Sequence, residues 1–412
     1  MKRLFVVAAL VAAAVALNVV ARADSTVGLT VTTSPLVISS PGVYDGGGAT
    51  IDVGCASDHN VEINASGVTL RNYTLLNANE SAVRIGERSG VVIEDVAIKG
   101  FNCADGGAQY RAGVACWGCT ALTVQNSHIE TARTFGDGIW VKNYGIGTGS
   151  YIVRGNTIVG GFDGIGGEPE DQPFGGLYRN ALIEDNTVTG CADDGIQVEG
   201  GNVNVRVQDN TIDGCGIGVA FAPNLTGPLY VERNVIRNLR TGYYGGLACF
   251  KVGDGGVGTA YVQNNVCTTE GDGFKQTNPG LSIIIARGNC IQVTRYVIET
   301  LGDFPIGVSF DSDRLWSTDP QRFIKWGGTL YGSLSSFRVA TEQEPNGIEA
   351  QGCAEPPAES TPTPEPTPTP TSTPAATPTA TPTPTPEPST CEVLVRIDGV
   401  MQWVTKDDAF CR

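Results

Sequence analysis

Histidine is nearly missing from this chain of 412 residues: His59 and His128 are the only two, and they lie far apart. Basic residues are short as well, with 27 Lys+Arg against 43 Asp+Glu and a formal charge of −16. Nucleic acid and anionic lipid both need clustered positive charge, so this balance argues against either as a partner. Long apolar runs are missing except for one, residues 4–21, which follows Lys2 and Arg3 and leads into Ala21-Arg22-Ala23. That is the pattern of a secretory leader, residues 1–23, cleaved before Asp24. No second such run follows, so the mature protein is expected outside the cell or on its surface, without a membrane span. Loss of the leader would remove Lys2, Arg3 and Arg22 and no acid, leaving 24 Lys+Arg against 43 Asp+Glu, a charge of −19.

What is present is a repeat. Val153-Arg-Gly-Asn156-Thr-Ile158, Ile183-Glu-Asp-Asn186-Thr-Val188, Val207-Gln-Asp-Asn210-Thr-Ile212 and Val231-Glu-Arg-Asn234-Val-Ile236 share one phrase, which Asn265 and Asn289 continue. The asparagines step by 30, 24, 24, 31 and 24 residues. A short period built on strand-like alternation means one coil of a solenoid per repeat. Stacked coils place equivalent residues about 4.8 Å apart, so each buried amide can donate to one neighbour and accept from the other. Fainter copies at Leu70, Ile93 and Val124 bring the count to nine or ten coils, a single parallel β-helix of all-β class.

Cysteine numbers twelve, all after the leader, an even count that suits disulfides in an oxidising compartment. Cys191 and Cys215 each fall five residues after a ladder asparagine on adjacent coils, within bonding range. Cys103, Cys116 and Cys119 crowd one coil, but no second pair or well-spaced histidine supports zinc there.

Residues 24–65 are irregular and are expected to form an N-terminal cap and the first strands, since an open sheet edge invites pairing with other chains. Coils are expected over 66–301, and residues 302–355, with Phe323, Trp326, Tyr331 and Phe337, should close the other end. Residues 356–390 are Thr-Pro repeats, an extended tether that buries no core. Residues 391–412 alternate as a small hairpin that Cys391 and Cys411 could staple.

The Asn-Thr-Ile phrase, the Asp-Gly-Ile turns and Ser66-Gly-Val-Thr-Leu-Arg-Asn-Tyr-Thr-Leu75 resemble the right-handed parallel β-helix repeat proteins of the pectate-lyase-like superfamily, over roughly residues 40–350. The closing stretch from Asp311 to Thr341 resembles the C-terminal segment of many secreted members, which usually has Asn where Asp313 stands. The resemblance implies that the strand after the turn following each ladder asparagine lines a substrate cleft. In-out alternation then sends Ile139, Ile196, Ile217 and Phe274 inward and Trp140, Lys142, Gln197, Glu199 and Lys275 outward, with Trp117 beside them. Such a face suits a polysaccharide or cell-surface glycan, Trp140 serving as a flat platform for a sugar ring. The other reading of Trp140 is an aromatic covered by a neighbouring loop.

Asp137, Asp163, Asp194 and Asp272 each precede a glycine at the entrance to that strand. The aspartate can simply cap turn amides while the glycine takes a positive φ. Alternatively, stacked carboxylates about 5 Å apart hold a proton between them or bind a cation such as Ca²⁺, with Asp163, Asp193 and Asp194 as ligands. A lyase would use Lys275, Lys251 or Lys142 as base, whereas a hydrolase would use two carboxylates, Asp194 with Asp163 or Glu199. The polygalacturonases that the chain resembles carry Asn-Thr-Asp, Asp-Asp, Gly-His-Gly and Arg-Ile-Lys, of which only Asp193-Asp194 is matched here. The Arg-x-Pro-x-x-Arg pattern of typical pectate lyases is missing. The sequence therefore points to a secreted or surface-tethered monomer that binds extracellular polysaccharide. Cleavage by a lyase or a hydrolase, a non-catalytic adhesin and a structural envelope component all stay open.

Overall fold

Each repeat phrase forms two short strands across a two-residue bend. In one coil the strands are Leu182–Glu184 and Thr187–Thr189, and Asp185 between them has φ 55°. The position before the ladder residue is left-handed in coil after coil: Gly155, Asp185, Asp209, Arg233, Asn264 and Gly288. Gly, Asp and Asn tolerate that conformation, which explains the residue choice. Arg233 is the exception, and Asp209 one coil earlier grips it through two hydrogen bonds of 2.8 and 2.7 Å.

The computed structural model describes residues 30–103, 111–131, 135–302 and 304–353, and the backbone of 390–397 and 400–407. The expected leader (1–23), the Thr/Pro tether (356–389) and the Cys391–Cys411 staple lie outside the described residues. Two compact units divide at residue 357. The smaller contains one antiparallel pair, Thr390–Ile397 with Val400–Asp407.

The larger unit is a parallel β-solenoid with three sheets. The first sheet has 13 strands, Val31–Thr32 through Ile348–Glu349; the second has 13, Leu36–Ile38 through Thr329–Tyr331; the third has 11, Gly42–Asp45 through Ser309–Asp311. The ladder bend joins the third sheet to the first, a glycine-rich turn joins the first to the second, and longer loops return to the third. The described residues form eleven complete coils against the nine or ten expected, and residues 36–63 supply the first strands to all three sheets. Residues 302–355 likewise continue the sheets before closing with the antiparallel Ile324–Trp326/Thr329–Tyr331 pair and a helix, Leu334–Thr341. Ser333 caps that helix by accepting from the Ser336 amide, and Phe337 packs on Trp326 at 5.4 Å and Tyr331 at 5.5 Å.

The asparagine ladder is continuous. Asn186 Nδ2 donates to Asn210 Oδ1 at 2.9 Å and to Val153 O at 2.9 Å, and the same pattern runs from Asn156 through Asn234, Asn265 and Asn289. It finishes at Asp313, whose Oδ1 accepts from Asn289 Nδ2 at 2.9 Å. The last rung only receives, so a carboxylate serves where the related segment has an amide. Inside, Phe250 stacks on Phe274 at 4.7 Å, with Phe310 edge-on at 5.1 Å.

Five disulfides brace the described residues. Cys191 bonds Cys215 with Cα atoms 4.6 Å apart. The crowded trio divides, Cys116 bonding Cys119 while Cys103 reaches back to Cys55. Among the described residues no helix is long and apolar enough to cross a membrane.

Candidate functional site

The outer face of the second sheet carries the expected cleft residues in two rows along the solenoid. One row runs Ala112, Asp137, Asp163, Asp194, Ile217, Ala248, Asp272. The other runs Ala115, Trp140, Gly166, Gln197, Ala220, Lys251, Lys275, Glu299, Lys325. Ile217, expected in the core, belongs to the aspartate row instead and packs with Ala220 and Ala248 in a small apolar cluster outside it. Two apolar residues therefore replace carboxylates beyond Asp194 and confine the acidic group to three consecutive coils.

Most of the aspartate row is structural. Asp137 Oδ1 accepts from the Asp163 amide at 3.1 Å, Asp163 Oδ1 from the Asp194 amide at 2.9 Å, and Asp272 Oδ1 from the Tyr296 amide at 3.1 Å. The glycine that follows is needed for close approach and not for positive φ: a Cβ on Gly195 would lie 2.5 Å from Ile212 Cγ2. At Asp194 the pattern stops. It opposes Ile217, whose amide bonds Asp193 O at 3.0 Å, so neither oxygen of Asp194 has a hydrogen bond although the residue is only 1% exposed.

Lys251, two coils further on, reaches back to this vacancy in the pattern. Its Nζ lies 3.8 Å from Asp194 Oδ2 and 2.8 Å from Glu199 Oε1. Gln197 donates to Glu170 Oε1 at 2.9 Å from the loop after Ile165–Glu168. Asp163, Asp193 and Asp194 each bring one carboxylate oxygen within 4.8 Å of the others, and among the described residues they form the one group close enough to share a cation.

Burial sets the protonation of this group. It pushes the Asp194 carboxyl up to about 7 against the pull of Lys251, with Asp193 and Glu170 adding to the rise. Burial likewise raises Glu199 to about 8, again offset by Lys251, and raises Asp137 to about 8. Asp163 is held well above the carboxylate range by burial and by Asp137 and Asp194, and Asp193 is raised chiefly by burial. For Lys251, burial opposes the charge, but Asp194 and Glu199 outweigh it and hold the ammonium above its usual range. The cluster thus keeps a charged lysine and at least one protonated acid at neutral pH.

Several expected cleft residues do not face solvent. Trp140 is 2% exposed, wedged in register between Ala115 and Gly166 with Trp117 edge-on at 5.0 Å, so it is a covered aromatic and no platform. Gln197 and Glu199 are buried also. Each lysine considered as a base is held by acids: Lys142 by Glu168 at 3.7 Å, Lys251 by Glu199, and Lys275 by Asp272 at 3.4 Å, with Arg295 on the same carboxylate at 3.5 Å. At Lys251 the nearby carboxylates favour the ammonium, the reverse of what a base needs.

The sequence reading missed four rings on the turns beside the acidic group: Phe135, Phe162, Tyr243 and Tyr244. The signal was present, since Phe162 directly precedes Asp163 and the tyrosines occupy the 240–246 loop. They lie outside the alternating strand positions, where the search for outward side chains was made.

Residues 112–295 match the family described as the right handed beta helix region. Comparison with curated proteins gives no match, and neither does comparison with solved structures.

Proposed function

We propose that this chain, a right-handed parallel β-helix repeat protein consistent with the pectate-lyase-like superfamily, is an extracellular protein that binds polysaccharide across the outer face of its second sheet. Disulfides through successive coils and the lack of a membrane-crossing helix among the described residues are consistent with an extracellular setting.

The cleavage chemistry that this face favours is hydrolysis. The observation that carries it is the meeting of Asp163, Asp193 and Asp194 within 4.8 Å, with Asp194 raised to about 7. A glycosidase needs two carboxyls, one donating a proton to the leaving oxygen while the other, ionised, attacks or activates water, and the raised Asp194 suits the proton-donating role. A separation of about 5–5.5 Å goes with retention of configuration. β-Elimination at this acidic group is disfavoured because Lys251, the lysine that reaches it, is held as ammonium by Asp194 and Glu199. The burial of Asp194 and Glu199 favours a second reading, a non-catalytic glycan-binding adhesin.

The test is to incubate the full chain with uronate and neutral polysaccharides, with and without Ca²⁺, following reducing ends and the absorbance of unsaturated products. Reducing ends without absorbance, abolished in Asp194→Asn, are expected. New absorbance would overturn hydrolysis in favour of elimination. Retention on a glycan with neither signal would select the adhesin.

A further inference from the structure

The aromatic surface beside the acidic cluster is assembled from three separated turns. Phe135 and Phe162 stack at 5.8 Å with planes 8° apart, and Tyr243 meets both edge-on at 5.3 and 5.6 Å. Tyr244 adjoins Tyr243 at 5.1 Å and Phe162 at 5.9 Å. Unlike Trp140, these rings reach solvent: Tyr243 is 52% and Tyr244 68% exposed. The cluster is fastened to the acidic turn, since the Tyr243 amide donates to Ala192 O at 2.7 Å. A Cβ on neighbouring Gly242 would lie 3.3 Å from Asp193 Oδ1. Tyr243 also borders a trough of about 350 Å³ with Ala192, Cys191 and Arg240.

We infer that Phe162, Tyr243 and Tyr244 form a sugar-stacking subsite that lays a pyranose ring beside Asp193, and that the glycan it takes is uncharged. This rests on the polysaccharide reading above and adds to it the location of the platform and the class of ligand. Exposed aromatic faces carry partial negative charge and suit the C–H face of a sugar, while tyrosine hydroxyls and the Asp193 carboxylate suit its hydroxyls. Four rings, two of them partly buried, are far smaller than the roughly 800 Å² per partner of a stable protein interface, which favours a small rigid unit as occupant.

Charge decides the class. Asp163, Asp193 and Asp194 meet beside these rings with Glu170 acting on Asp193 and Asp194, while Lys142, Lys251 and Lys275 are already matched by Glu168, Glu199 and Asp272. A polyuronate would bring one further carboxylate per residue beside acids whose burial already disfavours the charged form, and it would meet the same penalty. Arg240, which extends over Gly190 and Gly214 with its Nε on Gly214 O at 3.0 Å, is the nearest counterweight, and it stands on the trough side of Tyr243.

The experiment is affinity electrophoresis of the full chain in gels containing soluble glucan, xylan, mannan or polygalacturonate, with thermal melts to verify folding. Retardation by at least one uncharged polymer is expected, exceeding that by polygalacturonate. Tyr244→Ala and Phe162→Ala should each weaken it by about tenfold, and Tyr244→Phe should retain it. Preference for polygalacturonate, or unchanged retardation in folded Tyr244→Ala and Phe162→Ala, would overturn this inference while leaving glycan binding intact. Loss of retardation by every polymer in the unaltered protein would overturn both.

Discussion

Lys251 Nζ stands 2.8 Å from Glu199 Oε1, although the two residues are 52 positions apart and Glu199 is only 1% exposed. The lysine comes from Ala248–Val252 and the acid from just beyond Asp194–Gln197, and Ala220 between them leaves the space that the long side chain crosses. Removing the lysine would strand Glu199 and Asp194 in a low-dielectric setting. Lys251→Met should therefore cost about 3–5 kcal/mol at pH 8, where a buried pair has lost one partner. The loss should shrink at pH 5, because protonated acids no longer need the lysine. Denaturant melts at the two pH values check this, and an equal loss at both would show that packing and not charge is at stake.

The raised carboxyls also predict how stability varies with pH. Asp137, Asp194 and Glu199 titrate near 8, 7 and 8 in the fold, above the ordinary carboxylate value of about 4 in the unfolded chain. The folded state then holds protons that the unfolded state has released, so the stabilisation is complete below about pH 4 and is lost as pH rises through 7–8. The melting temperature should fall between pH 6 and pH 9, and Asp194→Asn should flatten that fall. A melting temperature that climbs across this window would contradict the assignment.

Within the ladder, Asn210 gives its amide to Asn234 Oδ1 and Ile183 O and receives both the amide and side chain of Asn186. Asn210→Ala should cost about 3 kcal/mol or more, since at least two buried groups lose partners at about 1–3 kcal/mol each. Equilibrium unfolding measures the change.

Trp140→Ala is expected to act on stability and not on recognition. Truncating a ring so fully enclosed should cost about 3–5 kcal/mol, as other large-to-small core changes do. Glycan retardation at a temperature where the variant stays folded should match that of the unaltered chain. A selective loss of retardation would return Trp140 to the cleft.

Architecture was legible because it rests on local rules that repeat: a left-handed residue, a buried amide, then an apolar strand. Each instance reinforced the next, and Cys191–Cys215 could be placed from register alone. The site was legible only in part. Asp163 and Asp194 could be gathered because they share one position in the coil, and Asp193 because it directly precedes Asp194. The enclosure of Trp140 was not legible, since it depends on a glycine at 166 in the next coil and on side chains that alternation treats as outward. Ile217 was misassigned for a related reason. Gly216-Ile217 looks like the partner of Gly195-Ile196, whereas the register sets Ile217 against Asp194 and Val219 against Ile196. The Phe135, Phe162, Tyr243 and Tyr244 cluster joins turns whose lengths vary, and variable turns carry no periodic mark.

Each ladder amide donates forward to the next coil's Oδ1 and back to a backbone carbonyl, and the Asp313 side chain has no amide N–H with which to continue the series. The solenoid is therefore a one-way chain with a built-in terminator. Extra turns could be spliced anywhere between Asn156 and Asn289 without a mismatch, because every junction there is alike. Adding turns after position 313 would meet a side chain that lacks the amide N–H of the ladder, beside Glu344, which already receives the Asp313 backbone amide at 3.2 Å. Growth and shrinkage of such a rod over evolutionary time should therefore be confined to its middle, while its closing end stays constant in length.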